Sequence, residues 1–137
     1  MPQTPFSMPV RVYYEDTDAG GIVYHTSYLR FMERARTDML RAAGFGHQRM
    51  ADEFGLMFVA ESMQVRFVRP AQLDDLLSVT AAIGQMGRAS VVFEQTVMRG
   101  EEVIATASVR VACLRAADRK PTAMPAQLRD CLGACRT

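Results

Sequence analysis

One segment of this chain has the residue spacing of a long helix, and that segment most constrains the fold. Apolar residues recur at intervals of three and four between positions 28 and 42, while charged and polar residues fill the other face. The apolar set is Tyr28, Phe31, Met32, Ala35, Met39 and Ala42. This spacing predicts one long amphipathic helix, which Gly44 ends.

Most of the remaining chain alternates between apolar and polar residues, as half-buried strands do. This alternation predicts strands over 10–16, 57–69, 77–83, 91–97 and 103–114, and a short helical stretch over 47–54 that Gly55 closes. Breaks that contain glycine at 84–87 and 99–101 predict hairpin turns, so the last three strands should pair antiparallel. The sequence therefore predicts an α+β fold: a five-stranded antiparallel sheet wrapped around one long central helix.

The composition predicts a soluble globular protein with one domain, spanning residues 1–137. Hydrophobic residues make up 49% of the chain and charged residues 23%, and the 16 basic and 15 acidic residues are interspersed. A net charge of +1 argues against nucleic acid as a partner. No apolar run reaches the roughly 20 residues that span a bilayer, and the first residues lack the basic and apolar stretches of a leader, so we expect a cytoplasmic protein.

The cysteines and histidines give no metal-site pattern. The three cysteines are an odd set without a secretion signal, which predicts free thiols. Cys131 and Cys135 are four residues apart, but His25 and His47 lie far from them in sequence, so we expect no metal ion and no other cofactor.

The predicted architecture leaves part of the sheet without a cover. A single long helix protects only one of the two sheet faces, and a symmetric partner is a natural way to bury the rest. We therefore expect at least a homodimer.

The segment from Tyr13 to Tyr28 has the residues of an acyl-transfer site. Asp18 precedes Gly20 and Gly21, and a helix start follows. Free N–H groups at a helix start can bind an oxygen that becomes negative during reaction, and glycine lets a substrate carbonyl approach the main chain. Each residue alone also has an ordinary interpretation: the aspartates as turn formers, the glycines as loop residues and His25 as part of the first helical turn.

The same segment resembles the signature of the 4-hydroxybenzoyl-CoA thioesterase superfamily. The matching stretches are YEDTD at 14–18, GIVYH at 21–25, YL at 28–29 and ERART at 33–37, and further matches are FVRPA at 67–71, LDD at 73–75 and RKP at 119–121. The chain is most similar to the Tol-Pal-associated acyl-CoA thioesterase branch of that superfamily.

The resemblance implies a hotdog fold, assembly as dimers or as dimers of dimers (a homotetramer), and peripheral association with cell-envelope or lipid-synthesis machinery. It implies that Asp18 is the essential carboxylate, His25 the active-site histidine and Tyr14 a supporting tyrosine. The backbone N–H groups of Val23 and Tyr24 are the predicted oxyanion donors.

Substrate contacts are predicted at Gly20 and Gly21, where the carbonyl can approach the main chain, and at Arg88 and Ser90, which could contact the phosphates of coenzyme A. Arg66 and Arg69, in the strand before Pro70, are weaker candidates for the coenzyme A phosphates, because an exposed strand arginine is more often only solvated. For His47 we favour an ordinary surface position.

The predicted function is hydrolysis of acyl-CoA thioesters to a free acid and coenzyme A. Asp18 would act as nucleophile or as general base on water, and His25 would orient Asp18 or the substrate. Two alternatives stay open: a hotdog dehydratase that acts on 3-hydroxyacyl thioesters, and a non-catalytic acyl-CoA-binding module.

Overall fold

A five-stranded antiparallel sheet in the strand order β1-β3-β4-β5-β2 forms the centre of the computed structural model, which describes residues 5–135. The strands are β1 Phe6–Arg11, β2 Leu56–Phe67, β3 Leu76–Met86, β4 Ser90–Arg99 and β5 Glu102–Arg115. The helices are α1 His25–Ala42, α2 His47–Arg49 and α3 Ala126–Gly133. The predicted α+β class and the five strands are confirmed.

Helix α1 forms where the three-and-four spacing predicts it. It follows the extended Tyr24, and Gly44 lies just beyond its end with φ +90°, in the left-handed region that glycine tolerates best. Its buried face consists of Ser27, Tyr28, Phe31, Met32, Ala35, Met39 and Leu40. This face packs against β3, β1 and β4, so the helix covers one side of that half of the sheet.

The last three strands pair as two hairpins, as predicted, while the first two strands take the opposite edges of the sheet. β1 pairs with β3, and β2 pairs with β5. β2 is 12 residues long and mostly exposed, and Val59, Met63 and Phe67 are exposed apolar residues along it. The edge at β2 is therefore a long apolar strand that no other strand of the described residues covers.

The predicted boundaries of the first strand are wrong. The strand ends at Arg11, and residues 14–16 form a 3₁₀ turn instead. The Asp16 carboxylate closes that turn by accepting the Tyr13 N–H at 2.9 Å, and the Asp16 carbonyl oxygen accepts the Ser27 hydroxyl at 3.1 Å. Local side-chain hydrogen bonds therefore override the alternating pattern here.

The predicted helical stretch over 47–54 is present as α2 and a π-helical turn over Met50–Phe54, which Gly55 ends with φ +63°. Cys113 is buried in β5, Cys131 lies in α3 and Cys135 follows it, and all three are free thiols, as predicted. Within residues 5–135, no helix has both the length and the apolar character required to cross a membrane.

Candidate active site

A cavity of about 310 Å³ lies where the start of α1 meets the end of β2. Its walls are formed by Asp18, Ile22, Val23, His25, Tyr28, Phe67, Val68, Arg69 and Pro70. The structure thus brings together the predicted carboxylate and the predicted histidine, while their catalytic roles stay predictions.

A tight turn fixes the Asp18 carboxylate at the mouth of this cavity. Asp18 Oδ1 accepts the Gly20 N–H at 2.8 Å, and the Asp18 carbonyl accepts the Gly21 N–H at 3.1 Å. Gly21 has φ +80°, and a methyl group on Gly20 would lie 3.2 Å from Asp18 Oδ1. The two glycines do not themselves line the cavity. Their role in the structure is to shape the turn that presents Asp18.

His25 is the first residue of α1 and lies between two aromatic rings. Its ring stacks on Tyr24 with 4.3 Å between the centroids and meets Phe67 edge-on at 6.2 Å. Phe67 is the last residue of β2. The imidazole is therefore oriented by aromatic contacts and stays exposed toward the cavity.

The backbone donors predicted for an oxyanion are wrong, because both already have acceptors inside the protein. The Val23 N–H donates to the Ala71 carbonyl and the Tyr24 N–H donates to the Asp16 carbonyl, both at 2.9 Å. Within residues 5–135, the N–H groups without an acceptor at this helix start are those of His25 and Thr26. They are the first two residues of α1, where the helix dipole is positive. The sequence could not show this, because the pattern locates a helix start only to within a residue or two.

Tyr14 is not among the residues that line the cavity. It lies in the 3₁₀ turn and is 81% exposed, and its carbonyl accepts the Thr17 hydroxyl at 2.7 Å. The supporting role predicted for Tyr14 therefore has no contact within the described protomer that explains it.

Arg88 and Ser90 lie at the other end of the sheet from the cavity. Ser90 pairs with Ala112 of β5, whereas Phe67 pairs with Ala105, and seven residues of strand separate those levels by about 23 Å. The structure therefore contradicts a contact between these two residues and the cavity of their own protomer.

Of the two arginines ranked lower, Arg69 does line the cavity and Arg66 does not. Among residues 5–135, the Arg69 guanidinium makes a single long ion pair, with Glu102 at 3.5 Å, so it remains available to an anionic ligand. Arg66 lines a separate depression of about 440 Å³ over the middle of the sheet instead. His47 is an exposed residue of α2, which confirms the surface position predicted for it.

A hydrogen bond between Ala71 and Tyr28 supports the cavity. The sequence did not predict this supporting role for either residue. The Ala71 N–H donates to the Tyr28 hydroxyl at 3.0 Å, while the Ala71 carbonyl holds Val23. Burial raises the pKa of Tyr28 and outweighs the opposing effects of the Ala71 hydrogen bond and of Arg99. Tyr28 is therefore a neutral phenol that ties the helix to the segment after β2.

The cavity and the helix start beside it offer the groups that an attack on a carbonyl carbon requires: a carboxylate, an imidazole and the free N–H groups of His25 and Thr26. Of these two donor residues, His25 lines the cavity and Thr26 does not. Among the residues that the structure describes, no three or more His, Cys, Asp or Glu side chains are grouped to hold a metal ion.

Comparisons with known proteins agree with this arrangement. Residues 20–106 match the family model described as the thioesterase superfamily. The chain is 45% identical to acyl-CoA thioesterase YbgC of Haemophilus influenzae, over 90% of this chain and 91% of the relative. It is 46% identical to acyl-CoA thioester hydrolase YbgC of Escherichia coli O6:H1, over 91% of this chain and 93% of the relative.

A solved structure shows the same fold. The crystal structure of a probable thioesterase from Bartonella henselae is 37% identical and superimposes with a TM-score of 0.85, covering 89% of this chain and all of the other. The fold and the site thus define a hotdog-fold thioesterase. The chain belongs to the thioesterase superfamily.

Proposed function

We propose that this thioesterase hydrolyses acyl-CoA thioesters to a free acid and coenzyme A. The observation that carries the proposal is the cavity that Asp18 and His25 both line, at the helix start where the N–H groups of His25 and Thr26 have no acceptor among residues 5–135. The activity named for the relatives from Haemophilus influenzae and Escherichia coli supports acyl-CoA as the substrate class.

In the proposed reaction, the thioester carbonyl oxygen accepts hydrogen bonds from the N–H groups of His25 and Thr26. These donors and the helix dipole stabilise the negative charge that develops on that oxygen. His25, held by its aromatic neighbours, orients Asp18 or the substrate.

The Asp18 oxygen that does not accept from Gly20 then acts in one of two ways. As a nucleophile it bonds to the carbonyl carbon, the C–S bond breaks, coenzyme A leaves as a thiolate that takes up a proton, and water hydrolyses the mixed anhydride. As a general base it removes a proton from a water molecule, which attacks the same carbon; the C–S bond then breaks, and the coenzyme A thiolate takes up a proton. Because Asp18 is close in sequence to the proposed oxyanion donors and lines the same cavity as His25, we favour the nucleophilic route.

We extend the proposal to a dimer formed through β2. A long, exposed strand edge with apolar side chains readily pairs with another strand, and a twofold axis near the middle of β2 would pair it with its own copy. In that antiparallel arrangement the Phe67 end of one β2 lies beside the Leu56 end of the other. Two such dimers would form the tetramer that the family resemblance implies.

This pairing gives Arg88 and Ser90 a place at the site. Both lie toward the Leu56 end of the sheet, so the partner's Arg88 and the partner's Ser90 come to the Phe67 end of the first protomer. They would lie about three strand spacings, or roughly 14 Å, across the joined sheet from β2. The extended pantetheine and phosphates of coenzyme A can span such a gap, which supports a phosphate contact by the partner's Arg88.

The deciding experiment is turnover of a panel of acyl-CoA substrates, followed by release of free thiol. Thiol release that depends on Asp18 would support the proposal. Loss of water from a 3-hydroxyacyl-CoA without thiol release would instead indicate a dehydratase, and binding without any turnover would indicate an acyl-CoA-binding module.

A further inference from the structure

An ion pair fixes the segment that follows Arg69. The guanidinium of Arg99, the last residue of β4, donates to Asp75 Oδ2 at 2.8 Å and to the Pro70 carbonyl at 3.4 Å. The same Asp75 oxygen accepts the Gln72 N–H at 2.9 Å. Arg99 therefore holds both ends of the segment 70–75.

The segment 70–75 also supports α1 and the loop from Asp18 to Val23, which we call the catalytic loop. Ala71 is fully buried, its carbonyl accepts from Val23 and its N–H donates to Tyr28. Gln72 makes a further β-bridge to Ile22. The residues that this segment supports are Ile22, Val23 and Tyr28. They follow Asp18 in sequence and lie on both sides of His25, and all three line the cavity.

The surroundings of the pair favour its charged form. Partial burial pushes the pKa of Asp75 upward, but the Gln72 N–H and the hydrogen bond and charge of Arg99 outweigh burial, and the net pKa is lowered. Glu102 accepts from Arg99 Nε at 3.4 Å as well, so the guanidinium is held from two sides. Both partners of the pair are less than one-third exposed, whereas most other ion pairs of the described residues are more open.

We propose that Asp75 and Arg99 are positioning residues of this thioesterase: their ion pair sets the position of Ala71, and Ala71 sets the relative positions of Asp18 and the first turn of α1. The inference rests on the proposed function, because it concerns the geometry of that same site. Neither residue lines the cavity, so neither contacts the reacting atoms.

The test compares Asp75→Asn and Arg99→Gln with a matched control at the far end of the sheet. Asp118 accepts from Arg115 at 2.8 Å and from the Lys120 N–H at 3.1 Å, which is the same combination of an arginine and a backbone donor. Asp118→Asn therefore removes a similar pair without touching the segment 70–75.

For Asp75→Asn and Arg99→Gln we expect kcat to fall roughly tenfold with little change in KM, since a small displacement of reacting groups lowers the rate more than the affinity. Hydrogen exchange of the Val23 and Ala71 amides should become faster, while exchange in β5, which has a neighbouring strand on each side, stays slow. Arg99→Lys, which keeps the charge, should retain most of the activity, and Asp118→Asn should behave as wild type.

Unchanged exchange at Val23 and Ala71 in both variants would overturn the inference and leave the proposed function standing. An equal fall of kcat in Asp118→Asn would also overturn it, because the effect would then be one of general stability. A wild-type protein that releases no thiol from any acyl-CoA would refute the proposed function itself, and with it the role of the pair in turnover.

Discussion

Asp18 Oδ1 accepts the Gly20 N–H, and Asp18 Oδ2 has no hydrogen-bond partner among residues 5–135. One oxygen of the carboxylate therefore shapes the loop, while the other is available for chemistry. These two tasks can be separated by substitution.

Asp18→Asn should lower kcat by about 100-fold or more while acyl-CoA binding stays nearly intact. The amide oxygen can still accept from Gly20, so the loop keeps its shape and only the reactive charge is lost. Steady-state kinetics and binding of a non-hydrolysable acyl-CoA analogue measure the two effects. Asp38→Asn, on the exposed face of α1, is the control, and near wild-type turnover of Asp18→Asn would refute the assignment.

Oxygen-18 water distinguishes the two roles of Asp18. In a single turnover with enzyme in excess, nucleophilic attack transfers an unlabelled carboxylate oxygen to the first acid released, and water that attacks the aspartyl carbon then labels Asp18. Mass spectrometry of the acid and of the peptide containing Asp18 reads both positions. Label wholly in the acid, with none in that peptide, would rule out this anhydride route and favour the general base.

The neighbouring glycines should respond differently to alanine. A methyl group on Gly20 would lie 3.2 Å from Asp18 Oδ1, so Gly20→Ala should displace the carboxylate and lower kcat with a small effect on stability. Gly21 has open space around it but φ +80°, so Gly21→Ala should lower the free energy of unfolding by about 1 kcal/mol. Urea unfolding and kinetics on both variants would show the contrast, and identical profiles would contradict it.

The protein should sediment as a dimer or tetramer at micromolar concentration. Met63→Lys places a charge on the exposed β2 edge and should shift the protein toward monomer. Leu76→Lys changes an exposed apolar residue outside β2 and serves as the control. A monomeric wild type would contradict the arrangement, as would equal dissociation of the two variants.

Mixed dimers test whether Arg88 acts on the site of the partner. If it does, a dimer with one Asp18→Asn subunit and one Arg88→Gln subunit has one site with both residues intact. The isolated mixed dimers should show up to half of the wild-type activity at low substrate concentration, where each parent is weak. Absence of recovery would place Arg88 outside the partner's site.

The parts of the fold that follow from local patterning could be predicted from the sequence. The spacing from Tyr28 to Ala42 predicts α1, and the hairpins of β3, β4 and β5 follow from adjacent alternating segments. The edge positions of β1 and β2 depend on pairings between distant segments, which no local pattern encodes. The first strand was misplaced because the Asp16 carboxylate forms a turn within the apparent alternation.

The candidate site was predictable only in part, for a similar reason. Asp18 and His25 are close in sequence and carry recognisable chemistry, so the sequence identifies them. The predicted oxyanion donors lie one or two residues before the N–H groups that are free in the structure. The Asp16 and Ala71 carbonyls decide which N–H groups are free, because they accept from Tyr24 and Val23. Phe67 and Arg69 reach the cavity through the pairing of β2 with β5, which becomes visible only in the folded chain.

Ala71 has a practical consequence for mutagenesis. Its contribution comes entirely from its main-chain N–H and carbonyl, and its side chain is a single buried methyl group. A scan that replaces each residue by alanine leaves this position unchanged. The scan would therefore not detect the residue that joins the catalytic loop to the helix. Larger side chains would have to displace the packed surroundings, whereas Ala71→Gly would loosen the main chain and weaken both hydrogen bonds at once.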